Sequence, residues 1–327
     1  MTPPKAVGLF SGGLDSLLAV HMLREQNINV QAVTFTSPFF TSEKAAASAK
    51  TCQIPLQTVD MTSALAALIK NPPHGFGKGA NPCIDCHALM FRMAGQVMED
   101  TRADFLFSGE VLGQRPMSQN SNSLDIVARG SGYAERILRP LSARKLPPTP
   151  MEESGIVDRS QLGDISGRNR KTQILLAEKY GIREYPGPAG GCMLTHREFG
   201  KKVFDLIQNG NYTHQDMERL RYGRHFRIGP GVKLVIGRNE QENSALEKLR
   251  GTDLVLYFDK IPGPVCLLST PHDFEALEKS FKLAVFYSDS VIGEKVAVSV
   301  SQYGKRERRV FVTARDCRNL RQAHLIQ

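Results

Sequence analysis

The chain has 327 residues, of which 41% are hydrophobic and 23% charged, and its formal net charge is +9. This composition supports a buried core and excludes a mainly disordered protein, and the length favours two domains over one. We find neither a run of about eighteen apolar residues nor a signal sequence, which predicts a cytoplasmic protein without a membrane span. Six cysteines are too few for a disulfide framework, so clustered cysteines are candidates for metal or sulfur chemistry.

The first thirty-five residues follow the order strand, turn, helix, strand. Apolar runs at 6–10 and 30–35 predict two strands, and apolar residues at helical spacing over 17–23 predict the helix between them. Further strands are predicted at 56–59 and 103–107, and helices at 42–51, 62–69 and 88–100. This alternation predicts an α/β fold, a Rossmann-like doubly wound parallel sheet with its ligand at the carboxyl ends of the strands.

The turn after the first strand reads Ser11-Gly12-Gly13-Leu14-Asp15-Ser16. Two adjacent glycines let the amides curl around a phosphate at a helix amino terminus, while the serines add donors and Asp15 can hold magnesium. The turn resembles the PP-loop of HUP-type ATP pyrophosphatases, which split ATP into AMP and pyrophosphate. The resemblance implies that ATP and Mg²⁺ bind at this loop, and we expect Phe35 to line the same site. The residues expected to bind the nucleotide here are Ser11, Gly12, Gly13, Asp15, Ser16 and Phe35.

The cysteines supply the second motif. Asn81-Pro82-Cys83-Ile84-Asp85-Cys86-His87 places a C-x-x-C before the predicted helix, whose amino terminus would lower the pKa of both thiols. Cys192 follows in a small-residue turn at 188–195. Three thiolates can hold an iron–sulfur cluster with one iron open, or Cys86 and Cys192 can act as a persulfide pair. A zinc site with His87 and a purely structural C-x-x-C stay open as alternatives, and the other cysteines, Cys52, Cys266 and Cys317, are predicted to be buried.

The segment NPCIDCH with the later AGGCMLT resembles the MnmA-type tRNA thiouridine synthases. Cys86 and Cys192 match the active thiols of that family, and Cys83 completes a set resembling its iron–sulfur-dependent branch, which implies a [4Fe-4S] cluster on the three. His87 stands where the family usually has Asn. The stretch SGEVLGQ at 108–114 resembles the GExLGQ segment of ThiI-type 4-thiouridine synthases, which implies that Gly109 and Gln114 lie beside the nucleotide.

Basic residues predict a polyanionic partner. Arg136, Arg139, Arg144 and Lys145 are expected on a rim that faces RNA. The last thirty residues are more strongly basic, because they contain seven Lys and Arg residues but only two acidic residues, Glu307 and Asp316. The seven are Lys305, Arg306, Arg308, Arg309, Arg315, Arg318 and Arg321.

The composition changes near residue 200, which predicts a PP-loop domain at 1–200 and a smaller α+β domain at 201–327. In the second domain we predict strands at 233–236, 254–258 and 265–269, and helices at 199–208, 213–222, 243–250 and 273–287. The pieces 237–243 and 256–264 resemble the NFACT-R module, which implies RNA binding.

Together the resemblances imply an ATP-dependent tRNA sulfurtransferase. Such an enzyme adenylates a uridine carbonyl oxygen and replaces it with sulfur to give thiouridine, with Asp15, Cys83, Cys86 and Cys192 as the catalytic residues. The expected partners are tRNA and a sulfur donor, either sulfide or a cysteine desulfurase. Two other classes stay open: a PP-loop ligase that forms an amide or amidine of the lysidine type on RNA, and a non-catalytic RNA-binding protein.

Overall fold

A computed structural model describes residues 2–187, 191–209, 213–270, 272–302 and 305–326, with only the backbone of 305–307. The chain divides into two compact units, Met1–Thr195 and His196–Gln327. Sequence reasoning placed the change of domain after residue 200. No helix in the described ranges combines the length and the apolar character that a bilayer span requires.

The first unit is built on a parallel sheet of five strands with helices between them. Its strands lie in the order β3-β2-β1-β4-β5. They are β1 Lys5–Leu9, β2 Asn29–Thr36, β3 Leu56–Asp60, β4 Phe105–Ser108 and β5 Ile137–Leu138. The helices are α1 Leu14–Glu25, α2 Glu43–Thr51, α3 Thr62–Lys70, α4 Cys83–Asp100, α5 Ser121–Ser131, α6 Pro150–Glu153 and α7 Lys171–Lys179.

The strand order reverses beside β1, which pairs with β2 on one side and with β4 on the other. Leu9 lies opposite Ser108, so the loops that follow β1 and β4 leave the sheet at the same edge. This reversal is the topological switch point where ligands of open α/β sheets bind. The predicted doubly wound parallel sheet is therefore confirmed.

The second unit contains a separate antiparallel sheet with the strand order β11-β10-β8-β9-β7-β6. Its strands are β6 Arg224–Gly229, β7 Val232–Ile236, β8 Leu254–Phe258, β9 Cys266–Leu268, β10 Lys295–Gln302 and β11 Lys305–Thr313. Its helices are α8 Arg197–Gln208, α9 His214–Arg219, α10 Glu240–Lys248, α11 Phe274–Phe286 and α12 Arg318–His324. The predicted α+β class of this unit is confirmed.

Several elements differ from the sequence-based expectation. Helix α4 begins at Cys83 and not near Ala88, because its first turn is polar and the apolar periodicity starts only one turn later. Helix α5 was not predicted; the Asn120 side chain caps it by accepting a bond from the Ser123 amide at 2.9 Å. Strands β6 and β11 were missed because basic residues interrupt their apolar alternation, and β10 was missed although Val296, Val298 and Val300 alternate regularly.

Candidate functional site

A short turn connects the end of β1 to the first residue of α1, Leu14. Gly12 has a φ of +73°, and a β-carbon there would lie 2.5 Å from the carbonyl oxygen of Lys44. The Gly12 carbonyl accepts a 2.8 Å hydrogen bond from the hydroxyl of Ser48 on α2. Only glycine fits this position, and the loop therefore carries the unpaired amides of the first turn of α1 to the edge of the sheet, where they can bind an anion.

The two serines of the loop have different surroundings. Ser16 is buried and its hydroxyl donates to the Gly13 carbonyl at 2.8 Å, so this group tightens the turn. Ser11 is exposed, and its oxygen accepts a long bond from the Gly13 amide at 3.4 Å. Of the two hydroxyls, that of Ser11 is better placed to reach a ligand.

Asp15 contacts the loop that follows β4. The Gln114 side-chain amide donates to one carboxylate oxygen of Asp15 at 3.1 Å. The other oxygen, Oδ1, is buried and has no hydrogen-bond partner among the described residues. A carboxylate oxygen in this position needs a donor or a cation, and the donor chemistry fits Mg²⁺.

Gly109 packs directly on the start of α1. A β-carbon at this position would lie 2.5 Å from both the carbonyl carbon of Asp15 and the backbone nitrogen of Ser16. The predicted pair Gly109 and Gln114 thus lies beside the glycine turn. Phe35 lies near the carboxyl end of β2 with a buried side chain and is paired across the strands with Val59, and its contribution to the nucleotide site stays a prediction.

Cys83 and Cys86 lie in the first turn of α4. Asn81 donates its side-chain amide to the Cys83 sulfur at 3.0 Å. Asn81 and Pro82, which precede the helix, are both buried. The reason is that the loop folds back on itself, with the Gly77 amide bonded to the Asn81 carbonyl at 2.9 Å.

The segment that carries Cys192 is attached to the loop after β2. The Met193 amide donates to the Phe39 carbonyl at 3.0 Å, which holds this segment at the carboxyl edge of the parallel sheet. The small-residue turn predicted before Cys192 includes 188–190, which lie outside the described residues.

The three thiols lie close enough to influence each other's ionisation. Burial raises the pKa of Cys86 well above its ordinary value, and the charges of Cys192 and Cys83 raise it further. Burial also raises the pKa of Cys192 to about 11; the charge of Cys83 acts in the same direction, and the Leu194 and Thr195 amides oppose it. The prediction that the helix amino terminus lowers the pKa of both C-x-x-C thiols is therefore wrong for Cys86, because desolvation outweighs the dipole.

A single metal ion is not favoured by the geometry. Among the residues that the structure describes, no group of three or more His, Cys, Asp or Glu side chains converges to hold one. A [4Fe-4S] cluster with one open iron takes three Cys ligands, and these thiols would have to lose their protons to bind it. A structural zinc site would need a fourth protein ligand.

A buried charged network that sequence reasoning missed joins α4 to the sheet. His87 Nδ1 lies 2.8 Å from Glu110 Oε1, and the Arg139 guanidinium donates to Glu110 Oε2 at 2.9 Å. Burial alone would raise the pKa of Glu110, but the Arg139 charge and the His87 hydrogen bond lower it to about 2. Glu110 lies inside the predicted GExLGQ segment, but its two partners come from elements distant in sequence.

Arg139 was expected on a rim that faces RNA, and the structure corrects this. Its side chain is buried beside Glu110 and also donates to the Leu124 carbonyl at 3.1 Å. Arg144 does lie at the surface, in a 3.4 Å contact with Asp164. Arg139 can be buried because the carboxylate of Glu110 supplies the opposite charge.

Asp85, between the two thiols in sequence, is paired with His74 of the preceding loop, and its charge also raises the pKa of Cys86. Its carboxylate accepts a bond from the His74 amide at 3.0 Å and contacts the His74 imidazole at 2.6 Å. Residues 83 and 87 share one face of α4, whereas 85 lies on the opposite face. The Asp85–His74 pair therefore anchors the loop before α4, and Asp85 does not lie on the helix face that carries Cys83.

The remaining cysteines lie apart from this arrangement. Cys266 is fully buried in the core of the second unit, where burial raises its pKa, and Cys317 is also buried. Cys52 is half-buried and packs against the core of the first unit. The prediction of burial is thus confirmed for Cys266 and Cys317, whereas Cys52 is only partly covered.

Two family models match the chain. Residues 1–145 match the thiamine biosynthesis protein (ThiI) family, and residues 223–322 match the NFACT protein RNA binding domain.

Solved structures also resemble the chain at low similarity. A predicted subunit of a tRNA methyltransferase from Methanocaldococcus jannaschii is 16% identical, with a TM-score of 0.35 over 54% of this chain and 74% of its own. A 4-thiouridine synthetase solved with RNA and bound ATP is 21% identical, with a TM-score of 0.37 over 67% of this chain. The match spans 51% of that synthetase, about half its length. By the family models, the amino-terminal part of the chain is similar to the ThiI family and the carboxyl-terminal part to an NFACT-type RNA-binding domain.

Proposed function

We propose that the protein is an ATP-dependent tRNA sulfurtransferase. It adenylates a uridine carbonyl oxygen and replaces that oxygen with sulfur supplied at Cys83, Cys86 and Cys192, giving thiouridine. The proposal agrees with the ThiI-family match over residues 1–145.

One observation carries the proposal. Cys192 lies more than a hundred residues beyond the C-x-x-C in sequence, and yet its charge acts on the ionisation of Cys86. A ligase that forms an amide or an amidine has no use for three neighbouring thiols. Thiols beside a nucleotide loop are expected where sulfur is transferred to an activated carbon.

The proposed reaction has two steps, adenylation of the uridine and transfer of sulfur. The amides of the Ser11–Ser16 loop would hold the phosphates of ATP, so that the uridine oxygen can attack the α-phosphorus and displace pyrophosphate. The adenylated oxygen becomes a good leaving group as AMP. Sulfur then adds to the activated carbon, AMP departs, and the carbon keeps the sulfur.

Two groups would complete the site. Asp15 would hold Mg²⁺ through its unpartnered oxygen, and the ion would neutralise charge on the phosphates. Cys83, Cys86 and Cys192 would hold a [4Fe-4S] cluster, which supplies an open iron able to carry sulfide. The competing version of the same reaction uses no cluster: Cys86 would carry a persulfide and Cys192 would attack it, releasing the outer sulfur and leaving a disulfide.

The second domain, proposed at 201–327, would capture the tRNA. The family match over 223–322 and the basic carboxyl-terminal segment support this role. In the cluster version the sulfur would come as sulfide, whereas in the persulfide version it would come from a cysteine desulfurase, which donates sulfur already at the persulfide level.

The test is a reaction of the purified protein with tRNA, ATP, Mg²⁺ and sulfide under anaerobic conditions, followed by mass spectrometry of the nucleosides. We expect thiouridine from the wild type and none from Cys83→Ser, Cys86→Ser or Cys192→Ser. These variants should still release pyrophosphate in the presence of tRNA, because adenylation does not need the thiols. Asp15→Asn should lose both products while still binding tRNA, and Cys52→Ser is the matched control that should behave like the wild type.

Other outcomes would select other functions. Full activity of a triple cysteine variant on tRNA, with a new amide or amidine and no sulfur in the nucleoside, would select the ligase. A wild type that binds tRNA but turns over no ATP with any tRNA would select the non-catalytic RNA-binding protein.

A further inference from the structure

The β10–β11 pair forms the outer edge of the second sheet, and its two faces differ. Helix α11 packs against one face, where Val310 and Val312 join the core. Because side chains alternate along a strand, Arg309 and Phe311 lie on the other face. Phe311 is 68% exposed there, an unusual position for a phenylalanine in a strand.

Arg309 is held in place beside Phe311. Its guanidinium donates to the Asp259 carboxylate at 2.9 Å, and the same carboxylate accepts a bond from the buried hydroxyl of Ser299. Arg309 remains half-exposed despite this bond. The two residues are two positions apart on one face, so an exposed ring and a fixed planar cation stand next to each other.

Further positive charge surrounds this pair. Lys295 is exposed on the neighbouring strand β10. It lies two positions from Ala297, which is paired with Phe311 across the strands, so Lys295 is on the same face as Phe311. Arg315, directly after the strand, is also exposed, whereas Arg308 is exposed on the opposite face, in phase with Val310 and Val312. A protein partner bound through apolar contacts would favour a continuous apolar face. The face of Phe311 instead combines one exposed aromatic ring with basic side chains.

We propose that this face binds single-stranded RNA, with an unpaired base of the tRNA stacking on the Phe311 ring and the surrounding cations contacting the flanking phosphates. The inference rests on the proposed tRNA binding of the second domain and assigns it to a surface. Aromatic rings interleaved with basic residues are how proteins hold unpaired bases. Bases in a stem are already stacked and cannot reach the ring, so the contact selects a loop or an end of the tRNA.

The full-length chain contains no tryptophan, which permits a direct test. Phe311→Trp introduces a single indole on the proposed surface, and its fluorescence should be quenched when tRNA is added. Phe274→Trp is the matched control, because Phe274 is 80% exposed in the same domain but lies at the start of α11. Its fluorescence should not change.

Affinity provides the second readout, by a filter or anisotropy assay with labelled tRNA. Phe311→Ala should weaken binding about 5- to 100-fold, the range expected for one lost base stack. Phe311→Trp should bind like the wild type, and Phe274→Ala should have no effect. A melting curve of each variant confirms that the domain is folded.

Each contrary result has a distinct meaning. If the wild type binds tRNA but Phe311→Ala binds equally well and the indole of the Phe311→Trp variant is not quenched, the surface assignment is wrong and the proposed function stands. If Phe311→Ala instead changes the elution volume with unchanged RNA affinity, the face is a protein contact and the inference is overturned. If the wild type does not bind tRNA at all, the proposed function fails together with the inference.

Discussion

Gly109 lies so close to Asp15 that a β-carbon on the glycine would be 2.5 Å from the carbonyl carbon of the aspartate. The glycine follows β4 and the aspartate follows β1, so this contact closes the switch point of the sheet. The glycine turn therefore packs against the backbone of Gly109, and any larger residue at position 109 would collide with it.

Gly109→Ala should displace the start of α1, because the obstructing atoms belong to the backbone and cannot rotate away. We expect loss of tRNA-dependent pyrophosphate release and of ATP binding, measured by a coupled assay and by calorimetry. Gly187→Ala is the control, since a β-carbon there meets no atom within 4 Å. Wild-type ATP affinity in Gly109→Ala would contradict the assignment of this contact to the nucleotide site.

Glu110→Gln should destabilise the first unit by about 3–5 kcal/mol at pH 7, because it leaves the buried Arg139 guanidinium without its counter-charge. Urea unfolding measures the effect, and the exposed Glu135→Gln is the control. A change below about 1 kcal/mol would show that the ion pair contributes little.

The same carboxylate predicts a pH dependence of stability. Its pKa falls from an ordinary 4.5 to about 2 on folding, so the folded state binds fewer protons between these values. The contribution of Glu110 is therefore complete above about pH 4.5 and is lost as the pH falls toward 2. The difference in unfolding free energy between wild type and Glu110→Gln should shrink over that window, and a constant difference would contradict the assigned pKa.

Protein purified without oxygen should be brown and absorb in the visible range if the thiols hold a [4Fe-4S] cluster. Cys83→Ser, Cys86→Ser and Cys192→Ser should each abolish this absorption, whereas Cys52→Ser should keep it. A colourless anaerobic preparation that makes thiouridine with a cysteine desulfurase and cysteine, but not with sulfide alone, would favour the persulfide pair.

Cys192 should react slowly with iodoacetamide near neutral pH in metal-free protein, because its pKa of about 11 leaves little thiolate. Since the charge of Cys83 contributes to that shift, Cys83→Ser should move the alkylation profile of Cys192 to lower pH. Peptide mass spectrometry measures the rate at each pH. An unchanged profile would show that the two sulfurs lie too far apart to interact.

The sequence predicted the parallel sheet well because β1, β2 and β4 are short apolar runs whose burial leaves a local pattern. Strand β11 was missed because Arg308 and Arg309 obscure the alternation that Val310 and Val312 supply. The thiol residues were named from motifs, but the approach of Cys192 depends on a bond to Phe39, which no local pattern encodes. The burial of Arg139 could not be predicted either, since it requires the carboxylate of Glu110 from the loop that follows β4.

The His87–Glu110–Arg139 network fixes the first turn of α4 to the frame of the sheet. Any displacement of Cys83 and Cys86 would have to stretch or break charged bonds in the interior. These two sulfurs are therefore expected to keep their position through a catalytic cycle. Motion in such a cycle then belongs to the incoming uridine and to whatever delivers the sulfur.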